Sequence, residues 1–226
     1  MMIQPIFKNP FSTLYSINDL SLKSFELKQQ SKMLVKILIV DDHDFEYKNE
    51  MVNFDFCLKS VDDIAQLDFV SDYDIIICDI RGVGKKLGYT KYEGVGLIND
   101  IKKRYPYKLY GVYTGNDVSL EMTAMLDGVK ILPKNLDKED WKDILDSFVK
   151  EAMDPKTLWI KMRNYLLKEG VPIFDVTLLE HKYVYCMKYK KGDVSHLFDD
   201  INHNIPADMK SFFINVSSNI ATQLLF

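Results

Sequence analysis

The chain has 226 residues, of which 47% are hydrophobic and 27% are charged, and its formal net charge at pH 7 is −4. This length predicts one ordinary domain with a sizeable core plus a smaller one, and no apolar run is long enough to cross a membrane. The slightly acidic net charge differs from that of a typical nucleic-acid-binding protein, which is basic overall. The chain start, Met1–Pro5, lacks the pattern of a signal peptide. The widely separated Cys57, Cys78 and Cys186 predict buried thiols in a cytoplasmic protein.

Residues 1–33 are predicted to form an extension that precedes the first strand. Apolar and polar residues alternate from Leu20 to Leu27, which indicates a short strand or hairpin. Three roles remain open for this extension: packing on the C-terminal region, exchange with a neighbouring subunit, or docking on a partner.

Two short apolar runs, rich in β-branched residues, each end at acidic residues. Val35–Val40 runs into Asp41 and Asp42, and Ile75–Cys78 runs into Asp79. Both runs predict buried strands. In a parallel α/β sheet, carboxylates just past the strand ends meet at the edge where such folds bind ligands. Three carboxylates there repel one another unless a cation neutralises them, and Mg²⁺ prefers such oxygen ligands.

The segment between these two strands is short for the helix, strand and helix that it has to contain. Phe54–Leu58 is predicted as the strand and Val61–Leu67 as the helix that follows it. Only His43–Asn53 is left for the first helix, which we expect to be stunted.

Two further predicted strands also end at polar residues. Lys108–Tyr113 ends at Thr114, and Val129–Pro133 ends at Lys134. An acidic pair, a single Asp, a hydroxyl and a Lys therefore close successive strands in that order. This order resembles the receiver domain of bacterial two-component response regulators, over about residues 34 to 150. The resemblance implies a doubly wound, parallel, five-stranded (flavodoxin-like) α/β domain over residues 34–152.

The resemblance also implies a role for each of these residues. Asp79 would be the phosphoacceptor, a carboxylate that attacks a phosphoryl group. Asp42 and Asp79 would ligate Mg²⁺ directly, together with the backbone carbonyl of Arg81, while Asp41 would act mostly through water. The Lys134 ammonium and the Thr114 hydroxyl would each bind a phosphoryl oxygen. The expected function is a phosphoacceptor switch rather than an enzyme, with a histidine kinase or phosphotransfer protein as the donor.

The chain departs from the receiver pattern at several positions. Ile131 stands where receivers carry an aromatic residue three positions before the Lys, and Asn135 replaces the usual Pro after it. The glycine-rich loop 81–92 is expanded, and we expect it to be mobile. It is predicted to be a lid, a partner-recognition loop or a tolerated insertion. These departures support a second hypothesis, in which the chain is a pseudo-receiver scaffold that works without phosphorylation.

The C-terminal residues, 153–226, are predicted to form a small domain of four amphipathic helices. The first opens at Asp154 and Pro155 and ends near Lys168, and the second carries apolar residues at helical spacing from Val176 to Met187. The third is capped by Asp193 and extends to Ile201, and the last runs from Met209 to Leu224. Such a bundle would bind a protein partner or form a homodimer.

DNA binding is a third alternative for this region. The third predicted helix carries Asp199 and Asp200, and the last has Lys210 as its only basic residue. A recognition helix needs Arg, Lys, Asn or Gln on its exposed face with basic neighbours. The sequence therefore disfavours a nucleic-acid partner.

A phosphatase of the haloacid dehalogenase type is a further alternative. The Asp42–Asp44 stretch resembles the nucleophile motif of that family. Those enzymes require a further strand that ends in acidic metal ligands after the Lys. Here Asp137 leads into a predicted helix after Lys134, and Asp79 would have no role, so this alternative is disfavoured.

Overall fold

A computed structural model of the chain describes residues 14–20, 29–115, 118–199 and 205–224. Its centre is a five-stranded, all-parallel sheet with the strand order β2-β1-β3-β4-β5. The strands are β1 (Lys36–Val40), β2 (Cys57–Val61), β3 (Ile75–Asp79), β4 (Leu109–Thr114) and β5 (Lys130–Pro133). The predicted α/β class with a parallel sheet is confirmed.

Burial explains the apolar runs. Every residue of β3 is buried, and four of the five in β1 are buried, because both faces of a central parallel strand are covered. The edge strand β2 has no buried residue. Cys57 on that strand is exposed, so the prediction of buried thiols is wrong for this residue, whereas Cys78 in β3 is buried.

Eight α-helices surround or follow the sheet in the described part of the chain. They are α1 (Gln29–Leu34), α2 (Lys48–Asn53), α3 (Glu93–Arg104), α4 (Leu120–Met125), α5 (Lys138–Ala152), α6 (Pro155–Lys168), α7 (Ile173–Tyr189) and α8 (Ala207–Leu224). Three short 3-10 helices lie at Ile17–Asp19, Leu67–Asp72 and Lys85–Leu87. None of the described helices is long and apolar enough to span a bilayer.

The segment between β1 and β3 confirms one prediction and corrects two. The first helix, α2, is short as expected, with six residues. The second strand begins at Cys57 rather than at Phe54, because the backbone N–H groups of Phe54 and Phe56 bond to the last turn of α2. The helix predicted over Val61–Leu67 is absent, and Val61 instead ends β2.

Asp63 accounts for the missing helix. Its carboxylate accepts a hydrogen bond of 2.8 Å from the backbone N–H of Ile64. The same carboxylate accepts bonds from Gly84 at 2.7 Å and from Lys86 at 3.0 Å, both in the loop after β3. A side chain committed to backbone donors in this way competes with helix formation.

Two of the predicted C-terminal helices are confirmed as α6 and α7, and the last as α8. Asp154 caps α6 by accepting the N–H groups of Lys156 and Thr157. The third predicted helix is wrong over its described residues, since 195–199 form turns. Asp193 accepts both the N–H and the hydroxyl of Ser195, which stabilises a turn there. The predicted end of that helix at Ile201 lies outside the described residues.

The C-terminal helices pack at the edge of the sheet where the strands begin. A small cavity there is lined by Val35, Asp74 and Leu109 on the sheet side and by Leu158 of α6 and Val216 of α8 on the other. The predicted division of the chain at residue 152 coincides with the end of α5 and stays a prediction.

The N-terminal segment 14–20 packs on α7, which is one of the three roles left open by the sequence. The N–H of Tyr15 donates to Nδ1 of His181 at 2.9 Å, and the N–H of Ile17 donates to Oε1 of Glu180 at 3.0 Å. The hairpin predicted from Leu20 to Leu27 lies outside the described residues apart from Leu20 itself.

Candidate functional site

The sheet brings the predicted site residues to its carboxyl edge. Asp41 follows β1, Asp79 ends β3, Thr114 ends β4 and Lys134 follows β5. The strand order reverses between β1 and β3, and open α/β sheets bind ligands at such a switch point. The carboxylates of Asp41 and Asp79 therefore lie where this fold places a ligand.

Asp79 and Lys134 form an ion pair. The Nζ atom of Lys134 lies 2.5 Å from Oδ2 of Asp79, and the N–H of Arg81 donates to Oδ1 at 3.2 Å. Asp79 is 2% exposed, whereas the Lys134 side chain is 45% exposed. The hydrogen bond to Asp79 raises the pKa of Lys134. A buried carboxylate is thus held by a cation that still has access to solvent.

Asp41 is also buried, and both of its oxygens accept hydrogen bonds. The N–H of His43 donates to Oδ1 at 2.9 Å. The hydroxyl of Tyr113, the residue before Thr114, donates a short bond to Oδ2. Burial, followed by this bond to Asp41, raises the pKa of Tyr113 well above its ordinary value. Tyr113 therefore stays a neutral hydrogen-bond donor to Asp41.

Asp42 and His43 extend the acidic site toward solvent. Oδ1 of Asp42 lies 2.9 Å from Nδ1 of His43. Together with Asp41, these two residues offer ligand atoms that all lie within 4.8 Å of one another. Among the described residues this is the one group of three side chains with that spacing, and Asp79 does not belong to it. The oxygens of the predicted metal set, Asp41, Asp42 and Asp79, thus do not all lie within 4.8 Å of one another, and the metal set stays a prediction.

The donor atoms of the site nevertheless suit Mg²⁺. Asp41 and Asp42 supply carboxylate oxygens, which a hard cation prefers. His43 offers a nitrogen, which suits transition metals better. Each oxygen of Asp79 accepts one hydrogen bond, from Lys134 or from the N–H of Arg81, and a carboxylate oxygen has a second lone pair for a cation. The backbone N–H of Arg81 donates to Asp79, and the backbone carbonyl of Arg81 belongs to the same residue beside the site.

The loop 81–92 is fixed by side chains from two other parts of the chain. Besides the two bonds from Asp63, Glu93 accepts the N–H of Gly82 at 2.8 Å. The hydroxyl of Tyr89 donates to Asp100 of α3 at 2.6 Å. The sequence predicted a mobile loop from its glycines, but these bonds tie it to the sheet edge and to α3.

Glycine is required at two positions next to the carboxylates. A Cβ atom on Gly82 would lie 2.0 Å from Oδ2 of Asp42, and Gly82 has a φ of +82°. A Cβ atom on Gly94, in the first turn of α3, would lie 1.9 Å from the carbonyl oxygen of Asp79. The loop and α3 therefore approach the site more closely than any other residue type would allow.

Sequence reasoning missed Tyr113, Glu93 and Asp63. A tyrosine at the buried end of a central strand is a usable signal, because a buried phenol requires a hydrogen-bond partner. Glu93 and Asp63 carry no such signal, since the loop groups that they bind are backbone N–H groups 11 or more residues away in sequence. Thr114 is half-buried at the end of β4, as predicted.

No protein-family model matches the chain, and no curated protein sequence matches it significantly.

Proposed function

We propose that the chain is a response-regulator-like signalling protein in which Asp79 accepts a phosphoryl group in a Mg²⁺-dependent reaction. The observation that carries this proposal is the buried Asp79 carboxylate with the Lys134 ammonium 2.5 Å away, at the carboxyl edge of the sheet. The strand order β2-β1-β3-β4-β5 supports it, because this is the order of flavodoxin-like folds. The receiver-like region is residues 34–152.

The chemistry requires one nucleophile and one group that neutralises charge. A carboxylate oxygen of Asp79 forms a bond to phosphorus while the bond from phosphorus to the donor breaks. With a histidine kinase or phosphotransfer protein as donor, the electron pair of the broken bond stays on the imidazole nitrogen, which then takes a proton. The product is an acyl phosphate on Asp79.

Lys134 is suited to bind the phosphoryl group after its transfer to Asp79. Its ammonium pairs with Asp79 before transfer, and its exposed, flexible side chain then reaches a phosphoryl oxygen. Thr114, at the end of the adjacent strand, would supply a hydroxyl to a second oxygen. Asp42, Asp79 and the backbone carbonyl of Arg81 would ligate Mg²⁺ directly, and Asp41 would act mostly through water. The cation offsets the negative charge of the phosphoryl oxygens.

The proposed output is a change in protein–protein contacts through the C-terminal helices, with a partner protein or a second copy of the chain. This proposal places the protein in the cytoplasm. The chemistry is that of a phosphoacceptor rather than of a phosphatase, because no strand follows β5 in the described residues up to 224.

A direct test is phosphorylation of the purified full-length chain with acetyl phosphate and Mg²⁺, followed by intact-mass measurement. The wild type is expected to gain one phosphoryl group, and Asp79→Asn is expected to gain none. Asp44→Asn is the matched control, because Asp44 is an exposed aspartate near the same edge. If the wild type gains no mass, or Asp79→Asn gains as much as the wild type, the proposal is wrong.

A second candidate is a scaffold that works without phosphorylation. Lys85 favours it, since its Nζ atom lies 4.0 Å from Oδ2 of Asp42. With Lys134 on Asp79, cations of the protein itself are near both carboxylates. Ile131, where receivers carry an aromatic, is exposed on β5 and is consistent with this candidate. A wild-type chain that binds its partner equally well as Asp79→Asn, with or without acetyl phosphate, would favour the scaffold.

A further inference from the structure

Tyr113 connects the acidic site to helix α5. Its hydroxyl donates to Oδ2 of Asp41, while its ring meets the ring of Trp141 edge-on, with centroids 5.4 Å apart and planes at 89°. Trp141 lies in the first turn of α5 and is 3% exposed. One side chain therefore contacts both a carboxylate of the site and a helix outside it.

The Tyr113 ring is confined from several directions. Trp141 packs edge-on against Phe45, with centroids 4.9 Å apart, and Phe45 lies in the loop that follows Asp41. Lys134 places its Nζ atom 5.8 Å from the centroid of the Tyr113 ring. Tyr113 itself is 3% exposed, so a shift of its ring away from Asp41 would alter its packing against Trp141.

From these contacts we infer that Tyr113 is a positioning residue: it fixes the Asp41 carboxylate for a cation at the acidic site and transmits occupancy of that site to Trp141 on α5. The inference rests on the proposed function in that it takes Mg²⁺ as the cation. The N–H of His43 and the Tyr113 hydroxyl hold one oxygen each, so the carboxylate plane of Asp41 is set by donors on both sides.

This role differs from simple packing in what it predicts. Residues that hydrogen-bond to metal ligands orient them, and their loss typically lowers metal affinity by 10–100-fold. A tyrosine that only fills the core would lower the stability of the fold and leave the cation affinity unchanged. Cation affinity, rather than stability, is therefore the informative measurement.

The experiment is calorimetric titration of the full-length protein with MgCl₂ in the absence of a phosphodonor. Tyr113→Phe keeps the ring and removes the hydroxyl, and its dissociation constant is expected to rise about tenfold. Tyr110→Phe is the matched control. Tyr110 is a buried tyrosine on the same strand, and its hydroxyl donates to the carbonyl of Tyr105 at 2.6 Å instead of to the site. This control is expected to bind Mg²⁺ as the wild type does.

Fluorescence gives a second readout for transmission to α5. Saturating Mg²⁺ is expected to change the emission of the wild type, and Trp141→Phe is expected to remove the larger part of this change, because Trp141 contacts the Tyr113 ring whereas the other tryptophan, Trp159, lies in α6. In Tyr113→Phe the change should be lost even at saturating Mg²⁺. A retained change in that variant would overturn the inference.

The outcomes separate the inference from the proposed function. If the wild type and Tyr113→Phe bind Mg²⁺ equally, the inference is wrong while phosphorylation of Asp79 is untouched. If the wild type binds no Mg²⁺, both are wrong. If Tyr113→Phe weakens binding but Asp79 accepts no phosphoryl group, the inference stands and the proposed function falls. Should Tyr113→Phe fail to fold, the wild type and Trp141→Phe serve instead, and an emission change on Mg²⁺ binding that is the same in both overturns the inference.

Discussion

Trp159 and Glu180 form a hydrogen bond that joins α6 to α7 inside an aromatic core. The indole N–H of Trp159 donates to Oε2 of Glu180 at 2.6 Å, while Oε1 of the same carboxylate accepts the N–H of Ile17. The Trp159 ring stacks on Tyr183 with centroids 5.3 Å apart. Glu180 thus binds the N-terminal segment and the helical core with one carboxylate.

Replacing Glu180 should therefore destabilise the C-terminal helices. Glu180→Ala leaves the buried indole N–H of Trp159 and the N–H of Ile17 without their acceptor, and unpaired buried donors cost about 1–3 kcal/mol each. For the two donors together we expect urea unfolding to show a loss of about 2–6 kcal/mol. Glu169→Ala is the control, because Glu169 is exposed at the end of α6. Equal stabilities of the two variants would contradict the assigned role.

His181 should make the contact of the N-terminal segment dependent on pH. Burial and the neighbouring Lys182 lower the pKa of His181, and its Nδ1 atom accepts the N–H of Tyr15. Protonation at Nδ1 removes the acceptor. The stabilisation is thus fully present above the unfolded-state pKa of about 6.5, and it is lost as pH falls through the lower folded-state value.

The measurement is the free energy of unfolding between about pH 5 and 8, for the wild type and for His181→Phe. The difference between the two should shrink as pH falls. His196→Phe is the control, because His196 is exposed and pairs with Asp199. A difference that stays constant across the range would refute the prediction.

Lys108 should make the free energy of unfolding depend on pH in the alkaline range. It is 1% exposed, its Nζ atom donates to the carbonyl of Ser71 at 2.6 Å, and burial lowers its pKa to about 8. The unfolded chain keeps the lysine proton up to about pH 10.4. Between these values the unfolded state binds more protons, so stability rises with pH.

Unfolding measured from about pH 7.5 to 9.5 should show this rise in the wild type. Lys108→Met should lack it, since methionine fills a similar volume without a titratable group. Lys138→Met, at the exposed start of α5, should keep the rise. A rise of the same size in all three proteins would assign it to other groups.

Gly94→Ala tests the close approach of α3 to β3. The added methyl group would overlap the Asp79 carbonyl oxygen, so α3 or the end of β3 must shift. We expect a loss of about 1–3 kcal/mol or more in unfolding free energy and a lower yield of phosphorylated Asp79. Gly115→Ala is the matched control, because its Cβ atom would make an ordinary contact, 3.7 Å from Cβ of Lys134. Unchanged stability in Gly94→Ala would show that the two elements are farther apart than described.

The strands and their polar ends could be predicted because they depend on local pattern. The composition of Ile75–Cys78 predicts a buried strand, which the burial of the run confirms, and parallel geometry then places Asp79 at the carboxyl edge. The ion pair between Asp79 and Lys134 links residues 55 positions apart, and only their common place at strand ends made them candidates for one site.

The parts that the sequence did not predict depend on long-range acceptors. The Val61–Leu67 segment has helical spacing, but Asp63 binds backbone groups of a loop more than 20 residues further along the chain. The glycines of the loop 81–92 predict mobility, and local pattern does not distinguish its anchors, Asp63 and Glu93, from surface acids. Asp193 likewise favours a turn through Ser195 where apolar spacing indicated a helix.

Helix α5 extends from the acidic site to the cavity beside the C-terminal helices. The 12 residue steps from Trp141, beside the acidic site, to Met153, at the cavity under α6 and α8, span roughly 18 Å. A rigid helix that tilts about one end moves its other end sideways. Asp154, the N-cap of α6, follows the end of α5 after a single residue. A displacement of the end of α5 would therefore be transmitted to α6, because no flexible linker separates the two helices.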